Sequence, residues 1–422
     1  MNEKISKTRL DSGLTILTDT MPGVRSVTVG FFFRVGSRNE PNELNGITHF
    51  IEHSVFKGTR RRTAKQIAFE QDRLGGNLDA FTTHEETGFA VKVLDEQLPA
   101  AFDLLADILT SPRFESADLI NEQRVIIEEI KMMDDSPEEL LGELFYADFY
   151  PDHPLGLSIA GTPATVRSFD SEKTRAYHAE AFSPANLVIA AAGNIEHDRL
   201  VEMAAAIDFP TGHTKAANGS EPPRPAAPII IESKRDLEQA HVLIATPFID
   251  GRDPRRYAAD LLTNIIGGGT SSRLWQKVRE DRGLAYSVGT SAALFRDCGL
   301  FSVFAGTSPE QVGELTDIVI DEMRWVVKNG VTGDELRLTK DQTRASILLG
   351  LEDSAGRAAS LANSEIVHGR IIPVEETLAG IEQVTADDVA EIAREFFTSE
   401  RVAFAAIGDL ASVTIDRDRL SI

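Results

Sequence analysis

The 422-residue sequence contains a single cysteine, Cys298, so no disulfide forms within the chain and no thiolate cluster holds a metal. Any zinc site has to be built from histidine and carboxylate. Basic residues are scarce, with 43 Lys and Arg against 66 Asp and Glu, a formal net charge of −23. A chain with that balance neutralises no phosphate backbone and is repelled by anionic membranes; it mildly favours neutral or basic partners. No run approaches the ~18 consecutive apolar residues of a membrane-spanning helix. The N-terminal stretch MNEKISKTRLDSGLTILTD lacks an apolar core and carries Glu3 and Asp11, unlike a secretory signal or a transit peptide. A cytoplasmic protein with no nucleic-acid and no membrane partner is expected. The apolar content of 42% is ordinary, and the length suggests more than one domain.

What is present is a repeated pattern. Residues 211–228, TGHTKAANGSEPPRPAAP, are rich in Pro, Gly, Ser and Ala without apolar periodicity and read as a linker between halves 1–210 and 229–422. The first half runs strand (26–35), helix (45–56), hairpin (75–94), amphipathic helix (95–109) and long helix (115–133). The second runs strand (240–248), helix (254–268), hairpin (284–306) and amphipathic helix (309–327). Glu96 and Glu310, like Asp107 and Asp321, lie 214 positions apart, which points to duplication. Hairpins mixed with helices predict an α+β fold, with helices on one face of a mainly antiparallel sheet in each half.

The first-half helix carries HFIEHSVFKGT, residues 49–59. At ~100° per residue, Phe50, Ile51, Ser54 and Val55 share one side, and His49, Glu52, His53 and Phe56 the other. Histidines at i and i+4 can reach one ion, with Glu52 placed to take a proton from a water. Taken alone, this face suits a solvated histidine pair as well as a metal site. H-x-x-E-H is the inverse of the H-E-x-x-H zinc motif, which moves the balance toward metal. In ESADLINEQRVIIEEIKMMDD (115–135) the apolar stripe is Leu119, Ile126 and Ile130. Glu122 and Glu129, seven apart, border it, whereas Glu128 points to solvent. Periodicity therefore favours Glu129 as a third ligand with Glu122 one level above.

HFIEHSVFKGT, followed by the second glutamate of IIEEI, resembles the pitrilysin-like zinc peptidases, and most closely their bacterial mitochondrial-processing-peptidase type. GSRNE (36–40), the Gly75–Thr87 segment and GGGTSSRLWQKVREDRGLAYS (267–287) fit the same pattern, so the resemblance spans almost the whole chain. It implies one Zn²⁺ per chain on His49, His53 and Glu129, with Glu52 as general base and Glu122 as supporting carboxylate. It also implies that Arg279 and Tyr286 act on substrate from the second half. Asp79 stands where the family usually has Asn, beside Ala80, Phe81 and Thr82 of the substrate-pairing strand. Ala258, Leu261 and Leu262 occupy the second half's counterpart of the metal helix, so that half holds no zinc.

The expected protein is a zinc endopeptidase whose two homologous halves form a clamshell around a chamber for unfolded peptides, with a homodimer as its candidate assembly. The rival is a non-catalytic or partner-dependent member of the family that uses the same shell to bind peptide.

Overall fold

The structure, a computed structural model, describes residues 4–76, 78–209, 221–235 and 237–422. Most of the expected linker, 211–220, lies outside them. In chain order the elements begin with strands β1 (Lys4–Arg9), β2 (Thr15–Thr20) and β3 (Ser26–Phe33) and helices α1 (Ile47–Ser54) and α2 (Ala64–Leu74). Strands β4 (Leu78–Thr82) and β5 (Thr87–Leu94) follow, then helices α3 (Leu98–Thr110), α4 (Ser116–Asp135), α5 (Pro137–Phe149), α6 (Pro163–Arg167) and α7 (Ser171–Ala181). After β6 (Leu187–Gly193) and α8 (His197–Ala205) come β7 (Ile229–Ser233), β8 (Ala240–Phe248), α9 (Arg256–Gly267), β9 (Ala285–Leu294) and β10 (Gly299–Thr307). The chain closes with α10 (Val312–Asn329), α11 (Gly333–Gly350), α12 (Ser354–His368), α13 (Val374–Gln383), α14 (Ala386–Phe396) and β11 (Ala403–Gly408).

Two compact units form. One comprises residues 1–132, 157–221 and 348–372, and the other 133–156, 222–347 and 373–422. The first holds a six-stranded sheet ordered β1-β2-β6-β3-β5-β4, the second a five-stranded sheet ordered β7-β11-β8-β10-β9. Each sheet has one parallel pair, β2 with β6 and β7 with β11, and is otherwise antiparallel. The second sheet thus repeats the first without β1, and the α+β reading with two sheet-and-helix halves holds.

Helices on one face only were expected, and here the structure differs. Phe31 and Phe33 of β3 point into the main core with Phe50 and Phe102, while Phe32 points the other way, against Leu17, Val188, Leu361 and Ala362. A strand apolar on both sides needs cover on both sides. That cover is α12, which comes from a remote stretch of chain. In the second unit α5 has the same duty: Leu141, Phe145 and Phe149 pack on Ala403, Ala405 and Ala245. No helix among the described residues is long and apolar enough to cross a membrane.

Candidate active site

Helix α1 starts at Gly46, whose φ of +93° suits glycine and whose Cα lies so near Ala160 O and Gly161 that a Cβ would come within 2.7 Å of them. Its free N-terminal amides are met by Glu40, a buried carboxylate accepting from Gly46 N and Thr48 N at 2.7 Å each. Burial pushes the Glu40 carboxyl up to about 7 against those hydrogen bonds. Ile47, Phe50, Ile51 and Val55 are fully buried, with Phe50 packed on Phe169, so the apolar side of α1 sets its rotation. The opposite side then presents His49, Glu52 and His53.

Helix α4 brings the carboxylates. One donor atom each from His49, His53 and Glu129 lie within 4.8 Å of one another. His49 Nε2 is 3.7 Å from Glu129 Oε1, and His53 Nε2 is 3.7 Å from Glu129 Oε2. Tetrahedral zinc with bonds near 2.0–2.1 Å separates its ligand atoms by about 3.3 Å, so the three donors have the residue types and the proximity for one ion and would draw together on binding it. Glu122 takes a different place. Its Oε1 lies 2.9 Å from His53 Nδ1, and its Oε2 accepts from Lys57 Nζ at 2.7 Å. A carboxylate on the outer nitrogen favours a proton on Nδ1 and turns Nε2 toward Glu129, the arrangement that orients metal-binding histidines. Among the described residues no second group of three His, Cys, Asp or Glu donors comes as close together.

The charges follow from position. Burial, helped by the neighbouring His53, pushes the His49 imidazole down to about 4, leaving it neutral near pH 7. Burial works to lower His53 too, but Glu122, Glu129 and Glu52 leave it above its ordinary value. Burial would raise Glu122, yet its bonds to His53 and Lys57 hold it below the ordinary carboxylate range. Glu52 is raised, chiefly by burial, despite accepting from Thr82 Oγ1 at 2.7 Å.

That last bond joins α1 to β4, the edge strand of its sheet. Along β4, Asp79 and Phe81 face solvent, Leu78 is buried, and Ala80 and Thr82 are half-buried. The GSRNE segment braces the two elements: Ser37 N and Arg38 N donate to Thr83 O and His84 O, Arg38 pairs with Glu85 at 2.7 Å, and Glu40 caps α1. Periodicity could not show these roles: the partners of Lys57 and Thr82 are distant in sequence, and Glu40 reaches the amides of α1 from outside any periodic element.

Arg279 and Tyr286 lie in the other unit. The Arg279 guanidinium sits 4.6 Å from the Tyr286 ring centroid and 4.2 Å from that of Trp275. Ser287 pairs with Gly306 and Ala285 with Thr307, so Tyr286 is the extra residue of a β-bulge on edge strand β9, and it is 80% exposed. In α9, Ala258, Leu261 and Leu262 are core residues.

Residues 15–163 match the family described as Insulinase (Peptidase family M16), and residues 168–343 match the Peptidase M16 inactive domain. The fold and the paired matches define a peptidase-family chain. It belongs to peptidase family M16. An uncharacterized zinc protease of Streptomyces coelicolor is 39% identical over 413 residues, covering 96% of this chain and 90% of the relative. Another, of Bacillus subtilis, is 33% identical and covers 94% and 96% of the two chains. The crystal structure of a protease from Helicobacter pylori shares the fold with a TM-score of 0.91 at 20% identity, over 96% and 99% of the two chains.

Proposed function

We propose that the chain is a zinc-dependent endopeptidase for unfolded peptides, with His49, His53 and Glu129 as ligands of one Zn²⁺ and Glu52 as general base. The observation that carries this reading is the junction of three ligand-type donors with a buried carboxylate tied to an exposed sheet edge. Zinc held there supplies a Lewis acid that lowers the pKa of a water from 15.7 toward ~7. Glu52 Oε2 is occupied by Thr82, which leaves Oε1 to take a proton and later return it to the leaving amine. Glu122 holds His53 and keeps its proton on Nδ1. A peptide adds as a strand to β4 along Asp79, Ala80, Phe81 and Thr82; main-chain pairing accepts varied sequences, and the Asp79 carboxylate favours basic side chains nearby. From the second half, the Tyr286 hydroxyl donates to the developing oxyanion and Arg279 holds a substrate carbonyl.

The proposal includes a catalytic half at 1–210, a linker at 211–228 and a completing half at 229–422, closing as a clamshell around the peptide. It also includes a cytoplasmic location and a homodimer. The second reading, a peptide-binding subunit without activity or one that needs a partner, takes its support from the match of residues 168–343 to a domain described as inactive. The test is zinc analysis of the protein purified alone, with digestion of an unfolded peptide library followed by mass spectrometry. One zinc per chain and internal cleavages are expected. Intact peptides with zinc bound would favour the second reading; two tightly held zincs, or none after metal-replete purification, would overturn the ligand assignment. Native mass of the same sample tests the homodimer.

A further inference from the structure

Arg279 is held by aromatic faces and not by charge. In a chain with 66 acidic residues, its side chain makes no ion pair among the described residues. Its guanidinium carbon instead lies over two rings, 4.2 Å from the centroid of the Trp275 indole and 4.6 Å from that of Tyr286. A guanidinium held by ring contacts keeps its N–H donors for a hydrogen-bond acceptor, because cation–π attraction uses its charge and not its hydrogen bonds. The surroundings hold both rings in place. Residues Trp275–Glu280 form a π-helical turn whose Val278 is buried, and the Trp275 Nε1–H donates to Glu280 Oε1 at 3.1 Å. Tyr286 reaches the guanidinium from its bulge on β9.

We propose that Trp275 is a positioning residue: its indole face, together with the Tyr286 ring, fixes the Arg279 guanidinium so that its N–H donors meet a backbone carbonyl of a peptide substrate. This inference rests on the role proposed above for Arg279. Trp275 touches no substrate. It removes the rotamer freedom that a long arginine would otherwise lose on each binding event.

A double-mutant cycle on peptide cleavage tests it, using Trp275→Leu, Trp275→Phe, Arg279→Leu and the pair Trp275→Leu with Arg279→Leu. Trp275→Leu is expected to lower kcat/KM about 3- to 30-fold, the range of a cation–π contact, and Trp275→Phe to stay within about 3-fold of the parent. Zinc content and melting temperature should match between the two. In the Arg279→Leu background, Trp275→Leu should cost nothing more, because the residue it positions is gone. A purely structural tryptophan would give additive losses. Replacing Trp325 with Phe leaves Trp275 as the sole tryptophan, and Arg279→Leu should then change its fluorescence emission. Additive losses, equal damage from Leu and Phe, or unchanged emission would overturn the inference. If Arg279→Leu shifts the emission but leaves cleavage intact, the contact exists and the role of Arg279 in the reaction is what falls.

Discussion

The two units are built on one plan and use the same position differently. In the first, the helix after the central strand β3 turns His49, Glu52 and His53 away from the core. In the second, the helix after β8 buries Ala258, Leu261 and Leu262. The plan persists toward the end of each half. Phe182 and Phe397 are both buried, 215 positions apart, and Gly193 and Gly408 end corresponding strands at that same separation. A duplicated fold therefore keeps its core positions, while this helix carries ligand-type residues in the first copy and apolar ones in the second. Edge strands differ in the same way: β4 presents a bonded threonine beside Glu52, whereas β9 presents a bulged tyrosine beside Arg279.

The helices that cover the second sheet faces offer the strongest way to break this picture. Asp19 and Arg357 form a buried pair at 2.5 Å between β2 and α12. Arg357→Met should strand the Asp19 charge and destabilise the first unit by about 3–5 kcal/mol, measured by urea unfolding. Lys92→Met, which breaks the exposed Lys92–Asp353 pair, should cost under ~1 kcal/mol. Equal effects would mean that α12 is held by its apolar side alone.

Next in size is the proposed base. Glu52→Gln should keep zinc and lose at least ~100-fold in kcat, whereas His53→Ala should lose both metal and activity. Retained cleavage by the Glu52 variant would end the mechanism. For the second unit, Tyr286→Phe should lower kcat on the order of 100-fold with zinc content unchanged and KM little altered. An unaffected kcat would reduce that unit to a cover. Glu122→Gln should weaken zinc affinity about 10- to 100-fold, measured by chelator competition, since it loosens His53 and not a bond to the ion. No change in affinity would mean that Lys57 and packing already hold the ring.

A last expected effect is on pH. His178 is buried where the second unit buries Ala393, and its Nε2 lies 2.9 Å from Leu109 O. Burial pushes its imidazole down to about 4. A histidine held neutral in the fold stabilises fully above its unfolded value near 6.5, and that stability is lost as pH falls from 6.5 through 4. From pH 7 to pH 5 this site should remove about 2 kcal/mol, and His178→Gln should flatten that part of the unfolding-versus-pH curve. An unchanged slope would assign the acid sensitivity to other groups.

Much of this was legible in the sequence because local spacing carries it. The strand at 240–248 is found as Ala240–Phe248; the helix expected over 115–133 is Ser116–Asp135; that over 45–56 is the shorter Ile47–Ser54, followed by a tight turn at Val55–Lys57. A 3.6-residue period places His49, Glu52 and His53 on one side and separates Glu129 from Glu128 whatever the helices pack against. The offset of 214 between Glu96 and Glu310 likewise needs no coordinates.

Composition and period determined the α+β class, the repeat and the face that bears the ligand-type residues, since each depends on neighbours within a few turns of chain. Only the tertiary structure decided which distant groups meet. It set α12 and α5 over the second sheet faces, Glu122 on His53, Thr82 on Glu52 and Tyr286 against Arg279. The physical reason is that a side chain's period names the face it occupies, whereas its partner is set by how whole elements pack.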